Sequence, residues 1–103
     1  MTPEQEALVR VLQQEHDAFC QSGRTKWQKQ SDNGRIRLVS DAMFGAIDRG
    51  DVHPGMTDLQ IQNAVRLSIG SILLWWIGRQ ILYWAVAQLI RKLWPDRPAG
   101  QAA

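Results

Sequence analysis

A chain of 103 residues with a formal net charge of +2 has room for one small domain. Its single cysteine, Cys20, excludes the disulfide framework of small secreted domains and favours a reducing compartment. Residues 1–57 carry seven Lys and Arg against eight Asp and Glu, whereas residues 58–103 carry five against two. The basic C-terminal half favours an anionic neighbour such as a lipid surface.

The first predicted element is an amphipathic helix over residues 3–21. Thr2 and Gln5 form a capping-box pattern, and Pro3 occupies the first helical position, where its missing N–H costs nothing. Gly23 is expected to stop this helix. The N-terminal stretch has no basic region followed by an apolar run, so no cleavable signal peptide is expected.

Residues 24–37 are predicted to form a basic loop, because five cations and the turn signal Asp32-Asn33-Gly34 fall in this stretch. A solvated loop is the favoured interpretation. Contact with anionic lipid and stacking on nucleic-acid bases are the alternatives, since both use cations beside an aromatic ring. The residues that would carry this chemistry are Arg24, Lys26, Trp27 and Lys29.

A second short amphipathic helix is predicted after this loop and should end at Gly50. Its apolar positions recur at helical spacing and are Ile36, Val39, Met43, Phe44 and Ile47. The breaker cluster at residues 51–55 then closes a small helical region over residues 1–56. This region is expected to lie outside a membrane.

One long helix is predicted over residues 57–94, opened by a capping box at Thr57 and Gln60 and ended by Pro95. Residues 67–90 contain a single charge, Arg79, and are long enough to cross a bilayer. A central Arg disfavours insertion by about 2.5–3.5 kcal/mol, whereas each Leu, Ile or Val favours it by about 0.3–0.6. Insertion is therefore expected together with a partner for the arginine. Residues 95–103 are expected to form a flexible tail.

Arg79 has aromatic neighbours at helical spacing. Trp75, Trp76 and Tyr83 lie three or four positions away, within reach of cation–π contact, and Gln80 adds a second polar group. Structural accommodation of the guanidinium is one interpretation. A pore-lining or partner-binding arginine is the other.

Two further patterns on this helix predict membrane association. Small residues every seven positions would form a seam for close helix packing, and the seam consists of Ala64, Ser71, Gly78 and Ala85. The aromatic and basic end of the helix has the chemistry of an interface anchor, formed by Arg91, Lys92 and Trp94. Coincidence is the alternative explanation of the seam, whereas complementation of the helix dipole by the basic residues is compatible with the anchor.

No catalytic, cofactor or metal site is predicted. His16 and Cys20 share a helix face, but a structural zinc site needs four ligands, and the only other histidine is His53. His16 is instead expected to be a solvated helix residue. No nucleophile elbow or glycine-rich phosphate loop is present in the sequence.

These patterns predict an all-α, non-enzymatic, single-pass membrane protein whose orientation is undetermined. It would self-associate, or dock into a larger complex, through its long helix, with a holin-like pore as one version. The alternative is a soluble or virion-type structural subunit that buries the long helix in a multimeric bundle. The weaker alternative is a basic accessory factor that contacts nucleic acid through residues 24–37.

Overall fold

A computed structural model describes residues 1–20 and 23–96, and within these ranges the protein is all-α, as predicted, with no strand. The helices, in chain order, are α1 (Pro3–Cys20), α2 (Lys26–Asp48), α3 (Asp58–Ile69), α4 (Ser71–Ile77) and α5 (Arg79–Leu93). The predicted tail lies outside the described residues from position 97 onward.

Capping boxes begin three of these helices. The predicted boxes at Thr2 and Thr57 are confirmed, since each threonine hydroxyl accepts a hydrogen bond from a backbone N–H three residues on and the Gln side chain there accepts one from the threonine N–H. The same arrangement joins Thr25 and Gln28 and begins α2 at Lys26. Such reciprocal bonds satisfy backbone donors that a helix start leaves unpaired.

The prediction of a loop over residues 24–37 is wrong, because α2 runs without a break from Lys26 to Asp48. Asp32-Asn33-Gly34 lies inside this helix. The cap at Thr25 starts the helix upstream of the turn signal, and the apolar residues from Ile36 onward continue it. Local turn preference is a weak signal that burial of an apolar helix face routinely overrides.

The prediction of one long helix over residues 57–94 is also wrong, because glycines divide it at two points. Gly70 has φ +86° and Gly78 has φ +75°, and both have ψ near 150°. This backbone region is almost restricted to glycine, so each residue can turn the chain where another residue would continue the helix. Among residues 1–20 and 23–96, no helix is long and apolar enough to cross a membrane.

A single apolar core joins the helices. α2 packs against α1, α3 and α5, and α3 also packs against α5. The largest fully buried side chains come from every helix and include Leu12, Ile36, Met43, Ile61, Ile77 and Leu89. Because the break at Gly70 and Gly78 folds α5 back, α5 buries Leu82 and Leu89 against the other helices rather than extending away from them.

Candidate functional site

The most exposed apolar surface of the described chain is on α4, which buries only Ile77. Ile72 is 85% exposed and Trp75 is 88% exposed, and Leu73 and Trp76 are also exposed. We call these four side chains the α4 face. Single exposed apolar residues are normal on a protein surface, whereas several in one seven-residue helix form the kind of patch that is frequent at interaction sites.

A cleft of about 420 Å³ lies beside the α4 face, where the end of α3, the length of α4 and the start of α5 meet. We call it the arginine cleft, because it has a guanidinium from α3 and another from α5. Its lining residues are Arg66, Ser71, Leu74, Trp75, Gly78, Arg79, Leu82 and Tyr83. It therefore combines two cations and two hydroxyl groups with apolar and aromatic walls.

Among the described residues, the two cleft arginines form no ion pair with a carboxylate, and neither do Arg10 and Arg91, whereas four other arginines do. Arg24, Arg35, Arg37 and Arg49 each form an ion pair with an Asp or Glu. Arg66 and Arg79 form none within residues 1–20 and 23–96, and the sequence has no Asp or Glu from position 59 to position 95. Among the described residues, no Asp or Glu lines the cleft, so no lining carboxylate neutralises its two guanidinium groups.

α4 is attached to the rest of the protein at a few points. Ile77 is buried in the core, and Leu74 packs against the core from a half-buried position. The Arg35 guanidinium of α2 lies over the ring of Trp76, with its Cζ 5.2 Å from the ring centroid. Such a contact contributes about 0.5–1 kcal/mol at an exposed site. These contacts orient α4 so that Ile72 and Trp75 face outward.

The predicted group around Arg79 is only partly brought together. Trp75 and Tyr83 line the cleft with Arg79, whereas the ring of Trp76 contacts Arg35 instead. Gln80 is exposed at the start of α5. Arg79 itself is exposed, so the guanidinium is not enclosed by other protein in this chain.

The predicted small-residue seam does not form a continuous line, because its members are in different helices. Ala64 is half-buried in α3, Ser71 begins α4, Gly78 separates α4 from α5, and Ala85 is fully buried in α5. The heptad spacing would align them only on one uninterrupted helix. A role in association stays a prediction.

The three residues of the predicted interface anchor have different environments in the structure. Arg91 is exposed, but the Lys92 ammonium forms an ion pair with Glu15 of α1 at 2.7 Å. Trp94 is half-buried against the core. Two of the three residues therefore join α5 to the rest of the fold.

The predicted basic residues of positions 24–29 lie at the start of α2 and just before it. Arg24 binds Asp17 at 2.7 Å and also Asp32, and Lys29 lies 3.3 Å from Asp17. Lys26 and Trp27 are exposed. The carboxylates of Asp17 and Asp32 neutralise much of the positive charge that the sequence places here.

The expectation that His16 is solvated is wrong, because its side chain is 7% exposed and packs edge-on against Trp84, with ring centroids 4.9 Å apart. The Cys20 sulfur lies 3.5 Å from His16 Nε2. Burial lowers the pKa of His16, and the charges of Asp32, Arg24 and Asp17 act on it more weakly. No three His, Cys, Asp or Glu side chains of the described residues are grouped to hold a metal ion.

Acidification is expected to destabilise the protein through His16. The unfolded chain takes up a proton near the ordinary pKa of 6.5, whereas the folded protein takes it up only at lower pH. The free energy of unfolding should therefore fall as the pH drops below 6.5, measured by urea denaturation across a pH series. His16→Phe keeps an aromatic edge against Trp84 and should remove this part of the slope. His53→Gln, which removes an exposed imidazole, is the matched control, and an unchanged slope in His16→Phe would contradict the assignment.

Sequence reasoning missed four features of this region: the helix breaks at Gly70 and Gly78, the place of Arg66 in the cleft, and the contact of Arg35 with Trp76. Gly70 and Gly78 carried a signal, since each is a glycine within an apolar helical pattern and can act as a helix terminator. Arg66 directly precedes the predicted span over residues 67–90, and its position beside Arg79 depends on the turns at both glycines. Arg35 had no local signal for its contact with Trp76, because the two residues are in separate helices.

The chain matches no protein-family model, no curated protein and no solved structure at a significant level. Geometry and charge are therefore the grounds on which a function can be inferred.

Proposed function

We propose that this protein docks on the surface of an anionic lipid bilayer through the α4 face, with Arg66 and Arg79 directed toward the phosphate groups of the lipid. The observation that carries the proposal is the exposure of Ile72 and Trp75 beside two arginines that form no ion pair within residues 1–20 and 23–96. Tryptophan and tyrosine favour the membrane interface, where one part of the ring system is apolar and the other is hydrated. Each Lys or Arg near an anionic leaflet adds about 1 kcal/mol of attraction.

Charge favours lipid over a second copy of the chain as the occupant of the α4 face. A symmetric dimer buries the same surface patch of both subunits, so the two arginines of one subunit would lie near the two of the other. None of the described residues that line the cleft is an acid that could separate these charges. An anionic lipid surface supplies both the apolar environment and the opposite charge.

Charge also favours the α4 face over the start of α2 as the lipid contact. Arg24 and Lys29 are bound to acids of the same protein, and a new anion would compete with those carboxylates. The phosphates of a nucleic acid would have to compete with the same carboxylates, so this arrangement also disfavours the nucleic-acid alternative. At the arginine cleft no such competition is expected, because within residues 1–20 and 23–96 neither arginine forms an ion pair and no acid lines the cleft.

Trp75→Ala is expected to weaken binding to vesicles of phosphatidylcholine and phosphatidylglycerol by about tenfold. Burial of one large apolar side chain contributes about 1.5–3 kcal/mol, and about 1.4 kcal/mol corresponds to a factor of ten. Trp75 is 88% exposed, so its loss should leave the fold intact. The measurement is co-sedimentation with vesicles over a range of lipid concentrations, with thermal unfolding to check stability.

Trp27→Ala is the matched control, because Trp27 is exposed to a similar degree but is on α2. It should leave vesicle binding nearly unchanged, and an equal loss would mean that α4 is not the docking surface. If the wild-type protein stays in the supernatant with anionic vesicles, lipid docking is contradicted. Sedimentation as a stable dimer that Trp75→Ala converts to a monomer would favour self-association instead.

A further inference from the structure

We propose that the arginine cleft is a binding site for the phosphate group of a single anionic phospholipid, with Arg66 and Arg79 holding the phosphate and Trp75 lying along the start of the acyl chains. The inference rests on the proposed function, since it names the ligand that the docked protein would take from the bilayer. It goes further, because a docked apolar helix alone has no preference for one headgroup.

The shape of the cleft fits such a ligand. Its volume of about 420 Å³ lies within the range of roughly 300–1,000 Å³ that is typical of small-molecule sites. Arg66 and Arg79 come from different helices, so a phosphate between them can receive guanidinium N–H donors from more than one direction. Arginine is suited to this role because its planar fork matches two phosphate oxygens at once.

The chemistry of the walls selects an amphiphile over a free anion. Trp75, Leu74 and Leu82 offer apolar surface, and Ser71 and Tyr83 add hydroxyl groups that can donate to phosphate or ester oxygens. Trp75 belongs to both the cleft and the α4 face. Acyl chains leaving the cleft along Trp75 would therefore point toward the same apolar phase that receives Ile72.

Comparison with another cleft of the described chain shows that an arginine in a cleft is not by itself free to bind phosphate. A cleft of about 340 Å³ is lined by Arg37 and Asp41, among others, but the Arg37 guanidinium is bound to Glu6 at 2.5 Å. A phosphate there would have to displace a carboxylate and approach Asp41. In the arginine cleft, neither guanidinium is bound to an acid of the described part of the chain.

The test uses dihexanoyl phosphatidic acid at concentrations below micelle formation, with binding to the full chain measured by titration calorimetry. Arg66→Gln and Arg79→Gln should each weaken binding by about tenfold, since each removes hydrogen bonds between charged groups. Arg91→Gln is the matched control, because Arg91 is exposed on the same basic segment but lies about 18 Å along α5 from Arg79. It should change binding less than twofold, whereas an equal loss in all three variants would indicate general electrostatic attraction and overturn the site.

Inorganic phosphate and dihexanoyl phosphatidylcholine separate the parts of the ligand. Inorganic phosphate should bind far more weakly than the lipid, and equal affinity would overturn the assignment to a lipid. Equal binding of zwitterionic phosphatidylcholine would overturn the role of the anion. If wild-type protein binds anionic vesicles but not the soluble lipid, the headgroup site fails while surface docking stands. Binding of the soluble lipid without vesicle binding would support the site and contradict docking.

Discussion

Replacing both Gly70 and Gly78 with alanine is expected to lower the free energy of unfolding by about 2–6 kcal/mol, because each residue occupies a backbone region that costs a side-chain-bearing residue about 1–3 kcal/mol. The destabilisation comes from the φ angles of +86° and +75°, which residues with a side chain rarely adopt. Crowding does not contribute, because a Cβ added at either position meets no atom within 4 Å. The penalty is thus in the backbone and not in a steric clash that neighbours could relieve. Urea denaturation followed by circular dichroism measures it.

Gly34→Ala is the matched control for this double substitution. Gly34 is inside α2, and an added Cβ would make an ordinary 3.8 Å contact with Trp76. Alanine in a helix interior is favoured over glycine by about 0.5–1 kcal/mol, so this variant should be as stable as wild type or more stable. Equal stability of the double variant and wild type would show that the helix breaks do not maintain the fold.

The same double substitution tests whether residues 67–90 can form a membrane-spanning helix. Alanine disfavours the two turns and favours one continuous helix from α3 to α5, by about 1 kcal/mol per replaced glycine. If a spanning form is accessible to this sequence, the variant should become resistant to carbonate extraction from membranes while wild type is released. Release of both proteins would leave the span without support.

Local signals predicted two of the three capped helix starts, but the turn signal Asp32-Asn33-Gly34 led the capping box at Thr25 and Gln28 to be read as part of a loop, and both helix breaks were missed. Thr2 and Thr57 were recognised because a capping box is contained within four residues. Gly34 and Gly70 look equivalent in sequence, since a helix tolerates a glycine at a cost of about 1 kcal/mol. The difference between them lies in tertiary packing. Turns at Gly70 and Gly78 stabilise the fold, because Ile69, Ile77 and Leu82 are then buried in one core. Burial of several apolar side chains outweighs the few backbone hydrogen bonds lost at a break.

The candidate site was predictable where its members are close in sequence. Trp75, Arg79 and Tyr83 recur at intervals of four, and the structure keeps them in one cleft although a helix break lies among them. Arg66 joins them from 13 positions before Arg79, across both turns. No helical periodicity connects residues across two helix breaks, so the position of the second guanidinium became evident only in the structure. The environment of Arg79 differs from the prediction for the same reason. The sequence placed it in the middle of a long helix, whereas in the structure it is exposed at the start of α5.

Ile77→Ala is expected to destabilise the protein by about 2–4 kcal/mol, in the usual range for truncating a buried isoleucine. Ile77 is 1% exposed and is the one buried side chain of α4, so its loss removes the main attachment of this helix to the core. Ile72→Ala is the matched control within the same helix. Ile72 is 85% exposed, and the same chemical change there should alter stability by less than about 0.5 kcal/mol. Chemical denaturation of both variants gives the comparison.

Vesicle binding should reverse the order of these two variants at temperatures where both are folded. Ile72→Ala removes surface that the proposed docking buries in lipid and should weaken binding severalfold, whereas Ile77→Ala removes surface that already faces the core. If Ile77→Ala loses stability but keeps lipid binding, and Ile72→Ala keeps stability but loses lipid binding, then attachment of α4 to the core and docking on lipid depend on different side chains of α4. Parallel losses in both measurements would mean that Ile72 acts only through the fold, and the α4 face would then have no independent role in docking.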